Sequence, residues 1–321
     1  MTVWTAPDDE FLGAALAAAR TGDGREALAS LGWWQLLAGL DDTDQRSAVF
    51  TVFRAQGREL TTSAALGGLM AQPYLALLGA EPGMALATIT RESPRRGTVT
   101  VLAGDPAGLP LLVDRPGLGA ALLDPDDVEL RPVDLPGRQI LHEVGVDTST
   151  WRAAIDESRL SPARARSVFL GRVALAIELL GAAEGVLALA VDHARVREQF
   201  GRPIGTFQAV RHLLAWAATD CTAVERVTAE AVALDRAAPP RFDEIAKALA
   251  GRNARRVCER ALQVLGAIGF TTEHRHHHFH SRVLALDSLL GTSAELTRGL
   301  GSWLRGLGSD PGIPSTLLLA R

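Results

Sequence analysis

"ARVREQFGRPIGTFQAVRHLLA", residues 194–215, is the stretch that decides the fold. A helical pattern closes with Arg195 and Arg197, and Phe200-Gly201 supplies a turn. Pro203 and Ile204 then lead into a second helix opened near Thr206, a residue type suited to an N-cap. Composition alone makes this a hairpin of two helices.

Working outward, residues 161–306 read as helical in four long segments: 162–197, 206–236, 241–265 and 273–306. Gly201-Arg202-Pro203, Pro239-Pro240 and Gly266–Gly269 separate them. Long helices joined by short turns favour an antiparallel four-helix bundle. Residues 7–80 are helical as well, ending at Glu81-Pro82-Gly83. Between the two, residues 84–146 show short apolar runs with Pro94, Pro106, Pro110, Pro116, Pro125, Pro132 and Pro136 near their ends. That pattern suggests a small antiparallel sheet or barrel. The expected class is therefore mainly α with a small β domain. The expected division is a helical domain over 1–82, a β domain over 83–150 and a bundle over 151–321.

Composition limits the function classes. The chain has 321 residues, 47% hydrophobic, and a formal net charge of −4. It lacks the basic excess that binding to nucleic-acid phosphates requires. Lys247 is the only lysine among 33 basic residues. Cys221 and Cys258 make no disulfide framework. The N-terminus lacks a signal-peptide pattern, and no stretch reads as an uncharged membrane span. A cytoplasmic location is expected.

"TTEHRHHHFHSR", residues 271–282, holds five of the eight histidines. His274/His278 and His276/His280 are four apart, so each pair shares a helix face, a spacing that admits zinc. No third ligand follows at zinc spacing. The reading is a helix start whose histidines, His274 to His280, face solvent, a partner chain or an anionic cofactor edge, without metal.

The 194–215 stretch strongly resembles the C-terminal bundle of the acyl-CoA dehydrogenase family. "IAKALAGRNARRVCERALQVLGAIGFTTEH", residues 245–274, resembles the family's next segment, and "LGWWQLL", residues 31–37, its early helix. The order of helices, strands and helices also matches. The resemblance implies FAD held at a subunit interface and an acyl-CoA thioester oxidised across its α,β bond. One chain then cradles the flavin ring while its neighbour holds the adenosine-diphosphate end.

By that resemblance, Arg197 binds the FAD pyrophosphate, Phe200 packs beside it, and Gln208 adds a polar contact. Gln263 and the turn at Gly266 and Ala267 approach the adenosine side. Ala267 stands where the family usually has a second glycine. The ring-cradling half departs from the pattern. In "ATITRESPRRGT", residues 87–98, Thr90 matches a threonine, but Arg91 replaces a glutamate and the Gly-Ser-Asp is missing. The two positions that carry the family's catalytic base correspond to Gly171 and Leu290, and neither side chain accepts a proton. Glu178 stands alone in an apolar run. A buried unpaired carboxylate is expensive, so Glu178 either pairs with an arginine or serves as a substitute base. Glu273 matches an acidic residue that the family uses outside the base role.

Some members of the family, including ones acting on steroid side-chain thioesters, assemble from one long and one short chain. This sequence resembles the short one. The implied partner is a longer acyl-CoA dehydrogenase subunit in an α2β2 assembly. Two other readings stay open: a non-redox scaffold without FAD, and a self-sufficient homodimer using Glu178.

Overall fold

The computed structural model describes residues 9–20, 24–93, 97–104, 108–133, 141–147 and 151–307. Among these described residues five helices come first: α1 Asp9–Arg20, α2 Gly24–Ser30, α3 Trp33–Ala38, α4 Thr43–Glu59 and α5 Ala65–Leu78. Seven strands follow: β1 Leu86–Ala87, β2 Ile89–Ser93, β3 Gly97–Ala103, β4 Leu111–Arg115, β5 Gly119–Leu123, β6 Glu129–Pro132 and β7 Leu141–Gly145. The C-terminal helices are α6 Glu157–Val196, α7 Gln208–Leu234, α8 Phe242–Leu265, α9 His276–Ser288 and α10 Ser293–Gly306. The class is that expected, mainly helical with a small β portion. Pro94, Pro106 and Pro136 lie outside the described residues.

The β region forms two small sheets rather than one antiparallel sheet. One has the order β2-β3-β7-β6, antiparallel throughout, and the other the order β1-β4-β5, in which β1 pairs with β4 in parallel. Strands of two to seven residues give no periodicity from which a parallel pair could be read.

Helix α6 organises the molecule. Its 40 residues span about 60 Å, and it packs against α4, α5, α7, α8 and α9. Between Val173 and Ala183 every residue is buried, which is why the run is apolar all round. By length and hydropathy it could cross a membrane, but 78% of its most apolar window is buried inside the fold. The sequence reading had found no such span. Two glycines let α4 and α6 cross at backbone contact. A side-chain carbon at Gly57 would strike the Glu178 carbonyl, and one at Gly181 would strike that of Arg54.

Two boundaries differ from expectation. The 273–306 segment is two helices, α9 and α10. Leu290 at φ 53° and Gly291 at φ 98° turn the chain between them, and the Asp287 carboxylate accepts the Ser293 N–H at 3.0 Å. Thr206 is not an N-cap: its hydroxyl donates to Pro203 O at 2.7 Å. Helix α7 begins after Phe207, which makes no side-chain cap.

Candidate functional site

The α6–α7 hairpin carries Arg197 and Phe200. Arg197 ends α6, and its N–H donates to His193 O at 2.9 Å. Glu198–Gln199 then pairs with Arg202–Pro203 in a two-residue hairpin. Phe200 sits at its tip with φ 54°, a left-handed conformation costly for a side-chain-bearing residue. Its ring is 93% exposed and meets Phe207 edge-on at 6.1 Å. The Arg202 guanidinium lies over Phe207 at 4.4 Å. Arg197 is exposed and has no carboxylate partner among the described residues. Gln208 is exposed at the start of α7.

The second group lies at the end of α8. Gln263 is exposed, and a 3-10 turn, Gly266–Phe270, follows. Gly266 has φ 65°, and a side-chain carbon there would meet nothing. Ala267 is exposed, as are Ile268 at 47% and Phe270 at 77%. The His193 imidazole is held below its usual range by burial first, then by the nearby charges of Arg197 and His274.

Gly171 and Leu290, the residues that resemblance sets at the family's base positions, meet. A side-chain carbon at Gly171 would lie 2.6 Å from Leu290 Cδ1 and 2.8 Å from Met70 Sδ. The site is filled by hydrocarbon and thioether, with no room beside Gly171 and no proton acceptor. Polar contacts hold the Leu290 turn from behind. Arg172 Nε donates to Leu290 O at 3.0 Å, and Lys247 Nζ donates to Asp287 O at 3.1 Å and Gly291 O at 3.4 Å. Lys247 is fully buried; burial pulls its ammonium down to about 8, against the opposing pull of Asp287.

Glu178 is not a free carboxylate awaiting a substrate. It is the anionic half of a buried pair with Arg282, whose Nε donates to Oε1 at 3.1 Å and whose Nη2 donates to the same oxygen. Arg282 also donates to Thr61 O at 2.6 Å and Thr62 Oγ1 at 3.2 Å. The adjoining void of about 20 Å³ has room for one water and not for an acyl group. Of the two options the sequence left for Glu178, pairing is the one realised. Arg282 escaped notice from sequence, although a charge inside the apolar face of "SRVLALDSLL", residues 281–290, was a usable signal.

On the strand side, Thr90 Oγ1 lies 3.2 Å from Thr100 Oγ1. Arg91 reaches from β2 across to the end of α9, donating to Ser288 O at 3.4 Å. Between the β2-β3-β7 face and α9 lies a cleft of about 470 Å³.

The histidines have local partners. His274 Nδ1 accepts the His276 N–H at 3.2 Å. His276 Nε2 bonds Cys258 O at 2.8 Å, and His277 Nδ1 bonds His274 O at 2.8 Å. A carbonyl only accepts, so these two nitrogens carry protons. The segment caps α9, whose N-cap residue Arg275 offers no side-chain bond. Among the described residues no three His, Cys, Asp or Glu groups are placed to hold a metal.

Residues 165–303 match the model of the acyl-CoA dehydrogenase C-terminal domain. The acyl-CoA dehydrogenase FadE34 of Mycobacterium tuberculosis is 39% identical over 142 residues, 42% of this chain and 19% of that protein. The first curated relatives are matched over 19% to 42% of their own lengths. The solved structure described as the Tcur3481-Tcur3483 steroid ACAD G363A variant superposes with a TM-score of 0.72 at 22% identity, covering 94% of this chain and 98% of that one. The ChsE4-ChsE5 complex from Mycobacterium tuberculosis also gives 0.72, at 19% identity, covering 97% and 100%. Residues 165–303 thus match the acyl-CoA dehydrogenase C-terminal domain, in a chain that shares the fold of these two solved structures over nearly its whole length.

Proposed function

We propose that this chain is a subunit of a heteromeric acyl-CoA dehydrogenase. It furnishes the diphosphate half of an interfacial FAD site, and a longer partner chain supplies the base and the ring site. The observation that carries this reading is the contact between Gly171 and Leu290. Both positions for a base are apolar and packed against each other, and the remaining carboxylate, Glu178, is held by Arg282. A homodimer relying on Glu178 would have to break that pair.

The surface fits a dinucleotide end. Arg197 is exposed without a carboxylate partner among the described residues, Phe200 stands clear of the body, and Gly266 opens onto free space. The Arg197 guanidinium suits paired phosphate oxygens. Phe200 would cover one side, Gln208 would donate to a phosphate or sugar oxygen, and the Gly266-Ala267 backbone beside Gln263 would approach the adenosine. When bound, FAD supplies the acceptor for the hydrogen leaving the β-carbon.

The relatives' names support an acyl-CoA substrate. The two solved neighbours, a named pair of chains and a complex, support a partner subunit, and the assembly proposed is α2β2. The steroid ACAD neighbour supports a bulky thioester as substrate. A cytoplasmic location accords with such a role.

The test is purification of this chain alone and after co-expression with candidate longer acyl-CoA dehydrogenase chains. The visible flavin absorption and reduction by acyl-CoA are recorded in each case. Flavin bound only in the co-expressed assembly supports the proposal. A colourless protein with every partner favours a scaffold without FAD, and a yellow, active chain on its own favours the homodimer.

A further inference from the structure

The void beside the Glu178–Arg282 pair lies where three parts of the fold meet. Gln56 comes from α4, Thr62 and Ser63 from the link to α5, Ala103 from the end of β3, Glu178 from α6 and Arg282 from α9. Joints between elements are normally closed by packed hydrocarbon; this one is lined by polar groups whose hydrogen bonds leave a matched remainder. Arg282 directs both Nε and Nη2 at Glu178 Oε1, and among the described residues nothing donates to Glu178 Oε2. The Ser63 hydroxyl donates to Gln56 Oε1 and accepts the Ala65 N–H at 3.2 Å. Among the described residues the amide nitrogen of Gln56, Nε2, has no acceptor. Thr62 Oγ1 accepts from Arg282 Nη1 at 3.2 Å, and its own proton has no acceptor among the described residues.

These groups are shut away from bulk solvent: Gln56 is 6% and Glu178 3% exposed. A buried donor or acceptor left unmet is costly. The void measures about 20 Å³, above the roughly 10–15 Å³ that a water needs, and a buried water takes two to four polar partners. Charge decides against an ion. Arg282 already neutralises Glu178, and a further buried charge would have no counterpart.

We propose that one water is built into this joint, donating to Glu178 Oε2 and accepting from Gln56 Nε2 and the Thr62 hydroxyl. It meets the second carboxylate oxygen and ties α4 to the α6–α9 pair, as a bridging water does. The site does not depend on Arg197 holding a diphosphate, since the two regions share no residue.

The experiment is a crystal structure of the full chain, alone or in its assembly, at a resolution that orders solvent. A single solvent peak is expected about 2.7–3.2 Å from both Glu178 Oε2 and Gln56 Nε2. Ala103→Val, which pushes methyl groups into the void, should remove the peak and lower the melting midpoint, because two buried polar groups lose their partner. Adding Gln56→Leu should recover part of that fall, since the unmet donor goes while the crowding stays. A void without density in the parent overturns the proposal, as does a peak that contacts neither group. A raised midpoint in Ala103→Val also overturns it, because filling a dry void stabilises. If Ala103→Val fails to fold, the parent density decides alone.

Discussion

Gly171 on α6 and Leu290 in the α9–α10 turn occupy each other's space: a single added carbon on the glycine would sit 2.6 Å from Leu290 Cδ1. Gly171→Ala is therefore expected to destabilise by about 1–3 kcal/mol through over-packing. Leu290→Ala should relieve part of that cost, so the double variant loses less than the sum of the singles. Denaturant melts of the four proteins measure the coupling, expected at about 0.5–3 kcal/mol.

Glu178→Gln leaves Arg282 buried without its counter-charge, and the expected loss of stability is about 3–5 kcal/mol. Replacing both partners with apolar residues, Glu178→Leu with Arg282→Met, should recover much of it. In a flavin-loaded assembly, turnover per folded molecule should survive Glu178→Gln. Its abolition without unfolding would mark Glu178 as the base.

Arg197→Ala should leave the stability within about 0.5 kcal/mol of the parent, since the side chain is exposed and, among the described residues, unpaired by carboxylates. Flavin retention by the assembly should fall sharply, with Arg197→Lys intermediate because the paired donors are lost. Spectra after gel filtration report both.

Acid should loosen α9. His276 is held below its usual range by burial first, although its bond to Cys258 O opposes this, and His274 is held down by burial and by His277. The fold thus prefers both rings neutral, and the unfolded chain binds more protons as pH falls. The stability these rings contribute is complete above their unfolded value, about 6.5. It declines as pH drops below that value through the lower folded-state range. His276→Gln should flatten the slope between about pH 6.5 and 5 in pH-dependent melts.

Lys247 titrates in the opposite part of the scale. Its folded value of about 8 lies below the ordinary 10.5, so between these the unfolded chain holds the extra proton and this group's contribution to stability rises with pH. Lys247→Met should remove that rise and cost about 1–3 kcal/mol at neutral pH, because two carbonyls and Asp287 lose a buried donor. Lys247→Arg should cost a similar amount by crowding a site with no exposed surface.

Much of the fold was legible from the sequence. The helical segments of the bundle carry long periodic patterns with Gly and Pro between them, and the 194–215 hairpin lies where the spacing puts it. The α9–α10 break was hidden because its turn is made by Leu290 in a left-handed conformation, and Leu gives no turn signal. The parallel β1–β4 pair was hidden because two residues carry no period. At the site, the absence of a proton acceptor at Gly171 and Leu290 could be read position by position. Their mutual contact could not, because residues 171 and 290 meet only through tertiary packing. The fate of Glu178 hung on a partner 104 positions away, beyond any local pattern.

Lys247, Cys221 and Cys258 make up all the amine and thiol side chains of the sequence, and all three are buried. The two thiols are pushed up to about 12, chiefly by burial. Activated thioesters modify proteins by aminolysis and thiol exchange, and each route needs a soft or basic side-chain nucleophile within reach of solvent. This polypeptide keeps every side-chain amine and thiol inside, so its surface offers an acyl donor neither kind of group to form a lasting amide or thioester.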